Sequence, residues 1–144
     1  MNVIIAETDQ QLEDGFHVRR EVFIKEQHVP EEEEIDGYEE EATHFVLYDD
    51  QAQPVGAGRL RTISTDVGKI ERICIMKQAR DTGAGKLLME SIESFAHKVG
   101  VHKLKLNAQT HAEGFYERLG FKTVSERFFD AGIPHVTMVK TIES

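Results

Sequence analysis

Several features that mark specialised protein classes are scarce or missing in this chain. Its 144 residues include no tryptophan, one cysteine, three prolines and no long apolar run. The single Cys74 excludes an internal disulfide and fits a reducing compartment. The lack of a long apolar run argues against a membrane span, and the N-terminus lacks the basic region of a signal peptide. We therefore expect a single domain over residues 1–144, located in the cytoplasm.

Basic side chains are also scarce. Seventeen lysines and arginines face 26 aspartates and glutamates, which gives a formal net charge of −9. Such a balance argues against a nucleic-acid surface, and we expect neither nucleic acid nor membrane as a partner. The net negative charge also repels phosphate at long range, although salt screens that repulsion beyond roughly 8–10 Å. The seven histidines show no metal-ligand spacing, so we expect no metal site.

A glycine-bearing turn is the most informative segment that is present. Arg80–Gly85 stands between an apolar run, Lys69–Met76, and an amphipathic helix pattern over residues 84–99. A strand that turns into a helix directs unpaired backbone N–H groups at one spot, and such a spot suits phosphate. The turn is not a P-loop, because Leu87 follows Lys86, and it lacks the third glycine of a dinucleotide fingerprint. Taken alone, it also fits an ordinary strand-to-helix connection.

Apolar periodicity predicts a mixed α/β fold with the order β-α-(α)-β-β-β-α-β-α-β-β. The first helix is expected to begin at Thr8 or Asp9, and Pro30 begins a short acidic helix. The last two strands, residues 123–129 and 135–140, are expected to form a hairpin around the turn at 130–134.

Two motifs resemble those of the GNAT N-acetyltransferase superfamily, and the resemblance covers nearly the whole chain. Arg80-x-x-Gly83-x-Gly85 is similar to the family's acetyl-CoA pyrophosphate loop. A second segment resembles its motif B: Ala112-x-x-Phe115-Tyr116-x-x-x-Gly120-Phe121. A small bacterial YjcF-like subgroup is resembled by two further segments, Arg20-x-x-Phe23-x-x-Glu26-Gln27-x-x-Pro30 and Asp130-x-Gly132-Ile133-Pro134-His135. The chain departs from the family pattern at Gln109, where asparagine is common.

The resemblance implies a mostly antiparallel sheet with a splayed parallel pair, flanked by helices, and acetyl-CoA as co-substrate. A bulge in the strand before the turn would present a backbone N–H, that of Cys74, to the thioester oxygen. One such donor contributes about 2.7–4 kcal/mol. An ordinary buried strand is the alternative. The implied cofactor contacts are Ile73, Cys74, Ile75, Arg80, Asp81, Thr82, Gly83, Ala84, Gly85, Lys86, Asn107, Gln109 and Phe115.

The resemblance also implies catalytic roles. Tyr116 would protonate the departing thiolate, because a phenol near pKa 10 stays protonated until the sulfur gains charge. A primary amine near pKa 10.4 is unprotonated only about 0.04% of the time at pH 7, which costs roughly 4.6 kcal/mol. A general base is therefore useful. Glu71 is the first candidate, unless it is an acid paired with Arg72 or Lys69. His135 and His28 are weaker ones.

The acceptor site is expected near the acidic stretch Glu31–Glu34 and Asp36, where the family often builds it. Glu26, His28, Glu33 and His135 are the candidate substrate-binding residues. Carboxylates attract a cationic amine but also raise its pKa, so we expect them at the rim of the site. A solvated helix face is the alternative. A covalent route through Cys74 is a further alternative.

These features favour an acetyl-CoA-dependent N-acetyltransferase that acts on a small-molecule or peptide amine, as a monomer or a homodimer. A non-catalytic acyl-CoA-binding or sensing module is the main alternative. Such a module would keep the loop Arg80–Lys86 but would not need Tyr116. A generic nucleotide-binding domain remains a third possibility, and it would bind ATP or NAD in competition with CoA.

Overall fold

A computed structural model describes residues 1–142, which form one eight-stranded sheet with helices packed on it. The strands are β1 (Asn2–Ile5), β2 (Thr43–Tyr48), β3 (Pro54–Thr62), β4 (Val67–Ile75), β5 (Lys103–Gln109), β6 (Lys122–Thr123), β7 (Phe128–Asp130) and β8 (Ile133–Thr141). The α-helices are α1 (Asp9–Arg19), α2 (Glu31–Glu34), α3 (Ala84–Lys98) and α4 (Glu113–Arg118). Within residues 1–142, every helix is too short or too polar to cross a membrane.

Strand order in the sheet is β1-β2-β3-β4-β5-β8-β6, and β7 pairs with β8. In the described part of the chain, only β4 and β5 run parallel, while the other neighbours are antiparallel. The mostly antiparallel sheet with one parallel pair is therefore confirmed, and so is the expected element order up to α4, which three strands follow instead of two.

The first helical segment changes its winding before it ends. Thr8 caps α1, because its hydroxyl accepts from the Gln11 backbone N–H while the Gln11 side chain accepts from the Thr8 N–H. The chain then continues as a π-helix over Arg20–Glu26. The Gln27 N–H bonds to the carbonyl of Val22, five residues back, at 3.1 Å. π-Helical turns of this kind are frequent at functional sites.

The parallel pair diverges along its length. Residues Val67–Ile70 of β4 pair with Lys103–Leu106 of β5. Beyond them, β4 continues to Ile75 and β5 to Gln109, but these two segments do not pair with each other. The remainder of the sheet is covered by α3, whose Leu88, Ile92 and Ala96 are fully buried in the core. An open edge of β4 thus faces an open edge of β5.

A β-bulge lies in β4 at the point of divergence. Ala57 of β3 pairs with Cys74 and Arg59 pairs with Glu71, so one residue of β3 faces both Arg72 and Ile73. Arg72 has a φ of 61°, a left-handed conformation that costs a non-glycine residue roughly 1–2 kcal/mol. The expected bulge before the glycine turn is present.

One predicted strand is wrong. The stretch expected as a single strand over residues 123–129 is divided into β6 and β7. The hydroxyl of Ser125 accepts from the Thr137 backbone N–H at 2.8 Å, in place of a backbone partner. This side-chain bond interrupts the ladder with β8, and no propensity scale anticipates it.

Candidate active site

A cleft of about 860 Å³ lies where β4 and β5 diverge. It is lined by residues from both strands, from the glycine turn, from α4, from the π-helix and from the β7–β8 turn. All but two of the candidate catalytic and binding residues named above lie on its walls. The exceptions are Thr82, whose hydroxyl donates to the carbonyl of Ala79 at 2.5 Å, and His28, which is exposed outside the cleft.

The glycine turn delivers the N-terminus of α3 to the cleft. Gly83 precedes the helix with a φ of 85°, which a side chain at this position would oppose. Within residues 1–142 no side chain caps this end, and the first N–H bonded within the helix turn is that of Leu87, to the carbonyl of Gly83. The backbone N–H groups of residues 84–86 are therefore free to bind an anion. Lys86 lies on the same wall.

Arg80 is already bound in this structure. Its guanidinium pairs with both carboxylate oxygens of Glu26, at 2.6 and 2.7 Å, and its Nε donates to the carbonyl of Ile75 at 2.9 Å. Glu26 therefore lies beside the glycine turn and pairs with Arg80. This position does not fit its candidate role in binding the acceptor. Arg80 is not the uncommitted phosphate donor that the sequence indicates.

Polar side chains of β5 are likewise already paired, and that of Gln109 is paired across the cleft. Gln109 donates from Nε2 to the side-chain Oε1 of Gln27 at 2.9 Å, and His111 Nε2 lies 2.6 Å from the Gln109 Oε1. Asn107 accepts from the Thr137 hydroxyl at 2.9 Å. The amide of Gln109 thus lies on the cleft wall, but Gln27 occupies it.

The open edge of β4 presents backbone groups to the cleft. Met76 N–H donates to the carbonyl of Val55 in β3, so strand alternation turns the N–H of Cys74 toward β3 as well. The N–H groups of Ile73 and Ile75 then face the open edge. The expectation that the Cys74 N–H faces the thioester is therefore corrected to its two neighbours.

Cys74 is also unsuited to carry an acetyl group. Its side chain is 4% exposed, and burial raises the pKa of its thiol far above the ordinary range. Because the thiolate is the nucleophile, this thiol is inert at neutral pH.

Tyr116 of α4 is held by aromatic neighbours with its hydroxyl toward the cleft. Its ring contacts Phe115 and Phe121 edge to face, with centroids 5.0 and 6.0 Å apart. Within residues 1–142 the hydroxyl makes no hydrogen bond. Every buried side-chain oxygen in this part of the chain has a hydrogen-bond partner, so the Tyr116 oxygen is not fully buried. The hydroxyl is therefore open to the cleft. Burial raises the pKa of this phenol, so it is protonated at neutral pH.

Phe115 touches the glycine turn. A Cβ on Gly85 would lie 3.1 Å from its Cζ, so a larger residue here would crowd the approach of α4 to the first turn of α3. The two motifs that carried the resemblance therefore meet directly.

Glu71 is held in a cage of cations. Its carboxylate lies 3.0 Å from Arg59, 3.0 Å from Arg61 and 3.3 Å from Lys69. Burial alone would raise the pKa of this carboxyl, but the hydrogen bonds from Arg61 and the charges of Arg59 and Lys69 outweigh it and lower the pKa to about 2. A carboxylate this weakly basic is a poor acceptor for an ammonium proton, which argues against Glu71 as the general base.

His135 stacks on an aromatic ring, whereas Glu71 is surrounded by cations. His135 is 9% exposed and stacks on Phe128 with the ring centroids 6.0 Å apart. Its Nδ1 lies 2.7 Å from the carbonyl of Ile133, so the neutral ring carries its proton there and keeps a lone pair on Nε2. Within residues 1–142 Nε2 has no hydrogen-bond partner, although every buried side-chain nitrogen there has one. Nε2 is therefore not fully buried, and because His135 lines the cleft it is open to the cleft.

Two acids of the acidic stretch, Glu34 and Asp36, are neutralised by arginines. Glu34 is 2% exposed and binds Arg19 at 2.6 Å and Arg72 at 3.0 Å, while Asp36 pairs with Arg59 at 2.8 Å. These two acids do not lie at the rim of an acceptor site. Glu33 alone of the stretch Glu31–Glu34 both lines the cleft and remains exposed.

Arg72 and Gln27 were not predicted as site residues. Arg72 donates to the carbonyls of Glu33 and Glu34 and to Asp36, each at 3.1 Å, and thereby ties the bulge to α2. No local sequence pattern predicts these contacts, because the partners of Arg72 lie 36–39 positions away and the partner of Gln27 lies 82 positions away.

The chain was compared with known proteins. The model of an acetyltransferase (GNAT) domain matches residues 3–142. The chain is 49% identical over 141 residues to the uncharacterized N-acetyltransferase YjcF of Bacillus subtilis (strain 168), covering 97% of this chain and 99% of that protein.

Solved structures share the same fold. An acyl-CoA N-acyltransferase from Pseudomonas aeruginosa has a TM-score of 0.85 at 27% identity, with 97% and 99% of the two chains covered. An aminoglycoside 6'-N-acetyltransferase complexed with coenzyme A has a TM-score of 0.80 at 16% identity, with 100% and 98% covered. The chain therefore belongs to the GNAT acetyltransferase family, as the residues around the glycine turn and Tyr116 suggested.

Proposed function

We propose that this protein transfers the acetyl group of acetyl-CoA to a primary amine by direct attack, as a single domain over residues 1–144. One observation carries the proposal: the free N–H groups at the start of α3, the open edge of β4 and the Tyr116 hydroxyl all line one cleft. The coenzyme A complex of the related aminoglycoside acetyltransferase supports acetyl-CoA as the co-substrate.

Each part of the cofactor has a matching wall in this arrangement. The diphosphate binds the N–H groups of residues 84–86 and Lys86, because charge-assisted bonds contribute about 1.5–3 kcal/mol each. The pantetheine arm lies along β4 and bonds to the free backbone groups of Ile73 and Ile75, like an added strand. Asn107 and Gln109 face the arm from β5.

Proton transfers are assigned to two groups. The amine nitrogen attacks the thioester carbonyl, the C–S bond breaks, and the sulfur takes the Tyr116 proton. Its raised pKa keeps this proton in place until the sulfur becomes negative. We assign the base to His135, whose Nε2 lone pair is open to the cleft, in preference to the caged Glu71.

The acceptor enters between α2 and the β7–β8 turn. Exposed Glu33 and Asp130 line the cleft from these two segments, and neither forms an ion pair within residues 1–142. They suit a small-molecule or peptide amine that arrives as a cation. We place the reaction in the cytoplasm, in a monomer or a homodimer.

A panel of primary amines tests the proposal. Each is incubated with acetyl-CoA, and both free CoA thiol and the acetylated amine are measured. At least one amine should yield both products in equal amounts. If acetyl-CoA binds tightly but no amine in a broad panel is acetylated, the alternative of a non-catalytic acyl-CoA-binding module is favoured.

A further inference from the structure

The end of the π-helix connects both walls of the cleft. Glu26 forms its two-pronged ion pair with Arg80, which follows β4, at 2.6 and 2.7 Å. The next residue, Gln27, exchanges amide hydrogen bonds with Gln109 of β5, at 2.9 and 3.5 Å. Two consecutive residues therefore span the two strands that diverge. We call this pair, Glu26 and Gln27, the clasp.

The chemistry of the clasp resembles that of the cofactor. A carboxylate and a phosphate are both anions that accept two parallel hydrogen bonds from one guanidinium. A glutamine side chain offers the same carbonyl acceptor and N–H donor as the amides of a pantetheine arm. The groups that the clasp occupies, Arg80 and Gln109, are also cofactor contacts that the resemblance implies.

We propose that the clasp is an internal occupant of the cofactor cleft, which acyl-CoA displaces when it binds, so that Glu26 and Gln27 set the affinity for acyl-CoA. The inference rests on the proposed function of the cleft. The cofactor diphosphate takes the place of the Glu26 carboxylate on Arg80, and a pantetheine amide takes that of Gln27 on Gln109.

The clasp is weak enough to be displaced. Arg80 is 37% exposed and Glu26 is 41% exposed, and ion pairs this exposed contribute little net free energy. A diphosphate brings more charge and also reaches the free N–H groups at the start of α3. The exchange replaces one set of bonds with a larger one.

Glu26→Gln tests the proposal directly, because it removes the competing charge and keeps the size of the side chain. We expect the Kd for CoA, measured by titration calorimetry, to fall about two- to fivefold. Glu21→Gln is the matched control, because Glu21 lies on the same π-helix but pairs with Lys25 and does not line the cleft. Equal or weaker binding by Glu26→Gln relative to this control would overturn the proposal and make Glu26 a structural bracket.

A second measurement uses the unmodified protein. The N–H groups of Gln27 and Val29 bond to the carbonyls of Val22 and Phe23, at 3.1 and 2.8 Å. Their hydrogen exchange should be at least twofold faster when CoA saturates the protein, because release of the clasp loosens this segment. Unchanged or slower exchange contradicts the proposal. Failure of the unmodified protein to bind CoA at all would instead refute the proposed function.

Discussion

At the scale of single residues, burial and pairing decide which titratable groups are chemically useful. Tyr116 and Cys74 are both buried, and in both burial raises the pKa. The same shift preserves the phenol as a proton donor and disables the thiol as a nucleophile. Glu71 shows the reverse case, because its cationic neighbours remove its basicity. The type of residue was readable from the sequence, but its partners were not.

Removal of the Tyr116 hydroxyl should separate catalysis from binding. In Tyr116→Phe the departing thiolate loses its proton donor, so kcat should fall about 10²-fold or more while the Kd for acetyl-CoA changes less than about threefold. Steady-state kinetics and calorimetry measure the two. Tyr38→Phe is the control, because Tyr38 is exposed and lies outside the cleft, and it should leave both values unchanged. A Tyr116→Phe enzyme with full turnover would remove the acid role.

The pH dependence of turnover should distinguish His135 from Glu71 as the base. Substitution of His135 by glutamine should lower kcat/KM about 10²-fold and flatten the acid limb of its pH profile. Glu71→Gln should keep the acid limb, because a carboxyl with a pKa of about 2 is already ionised throughout the range. The opposite pair of profiles would return the base to Glu71.

At the scale of elements, local signals were the reliable ones. The glycine turn and the cap at Thr8 were expected because neighbouring residues determine them, whereas the bulge in β4 was expected only from the family resemblance. The division of the strand at residues 123–129 depends on Ser125 reaching a backbone partner in β8, and the clasp depends on pairs 54 and 82 positions apart. Contacts of this kind follow from the tertiary fold, and a single sequence does not specify them.

Gly83 is the element-scale test of the turn. Gly83→Ala forces a side chain into a φ of 85°, so we expect a loss of about 1–2 kcal/mol in stability and a several-fold weaker affinity for acetyl-CoA. Urea unfolding and calorimetry measure these effects. Gly37→Ala is the matched control, because nothing lies within 4 Å of a Cβ there. Equal behaviour of the two variants would mean that the turn geometry does not govern cofactor binding.

At the scale of the whole molecule, a buried ion network joins α1, α2 and the sheet. Arg59 is fully buried and binds Asp36 at 2.8 Å, Glu39 at 2.9 Å and Glu71 at 3.0 Å. Much of the negative charge that the composition shows is thus used internally. Asp36 is the member of this network that belongs to the acidic stretch, so its carboxylate is not free to attract an acceptor amine.

The network should make stability depend on acid. Hydrogen bonds from Arg59 lower the pKa of Asp36 to about 2, and Glu71 is lowered to about 2 as well. A depressed pKa gives stability that is present above the unfolded value, near 4 to 4.5, and is lost as pH falls toward 2. Glu34 opposes this trend in part, because burial raises its pKa.

Urea unfolding between pH 7 and pH 3 measures this dependence. The free energy of unfolding should fall steadily below pH 5, and Glu71→Gln should be less stable at pH 7 but lose less on acidification. Glu32→Gln, at an exposed position with no ion pair within residues 1–142, should follow the unmodified protein. Parallel curves for Glu71→Gln and the unmodified protein would argue against the network as the origin of the effect.

The central claim is that the cleft between β4 and β5 holds acetyl-CoA, and ligand-dependent melting tests it most directly. At about 100 times its Kd, acetyl-CoA should stabilise the protein by about 2.7 kcal/mol and raise the Tm by roughly 5–10 °C. ATP and NAD at the same concentration should leave the Tm unchanged. A clear rise with ATP and none with acetyl-CoA would contradict the account.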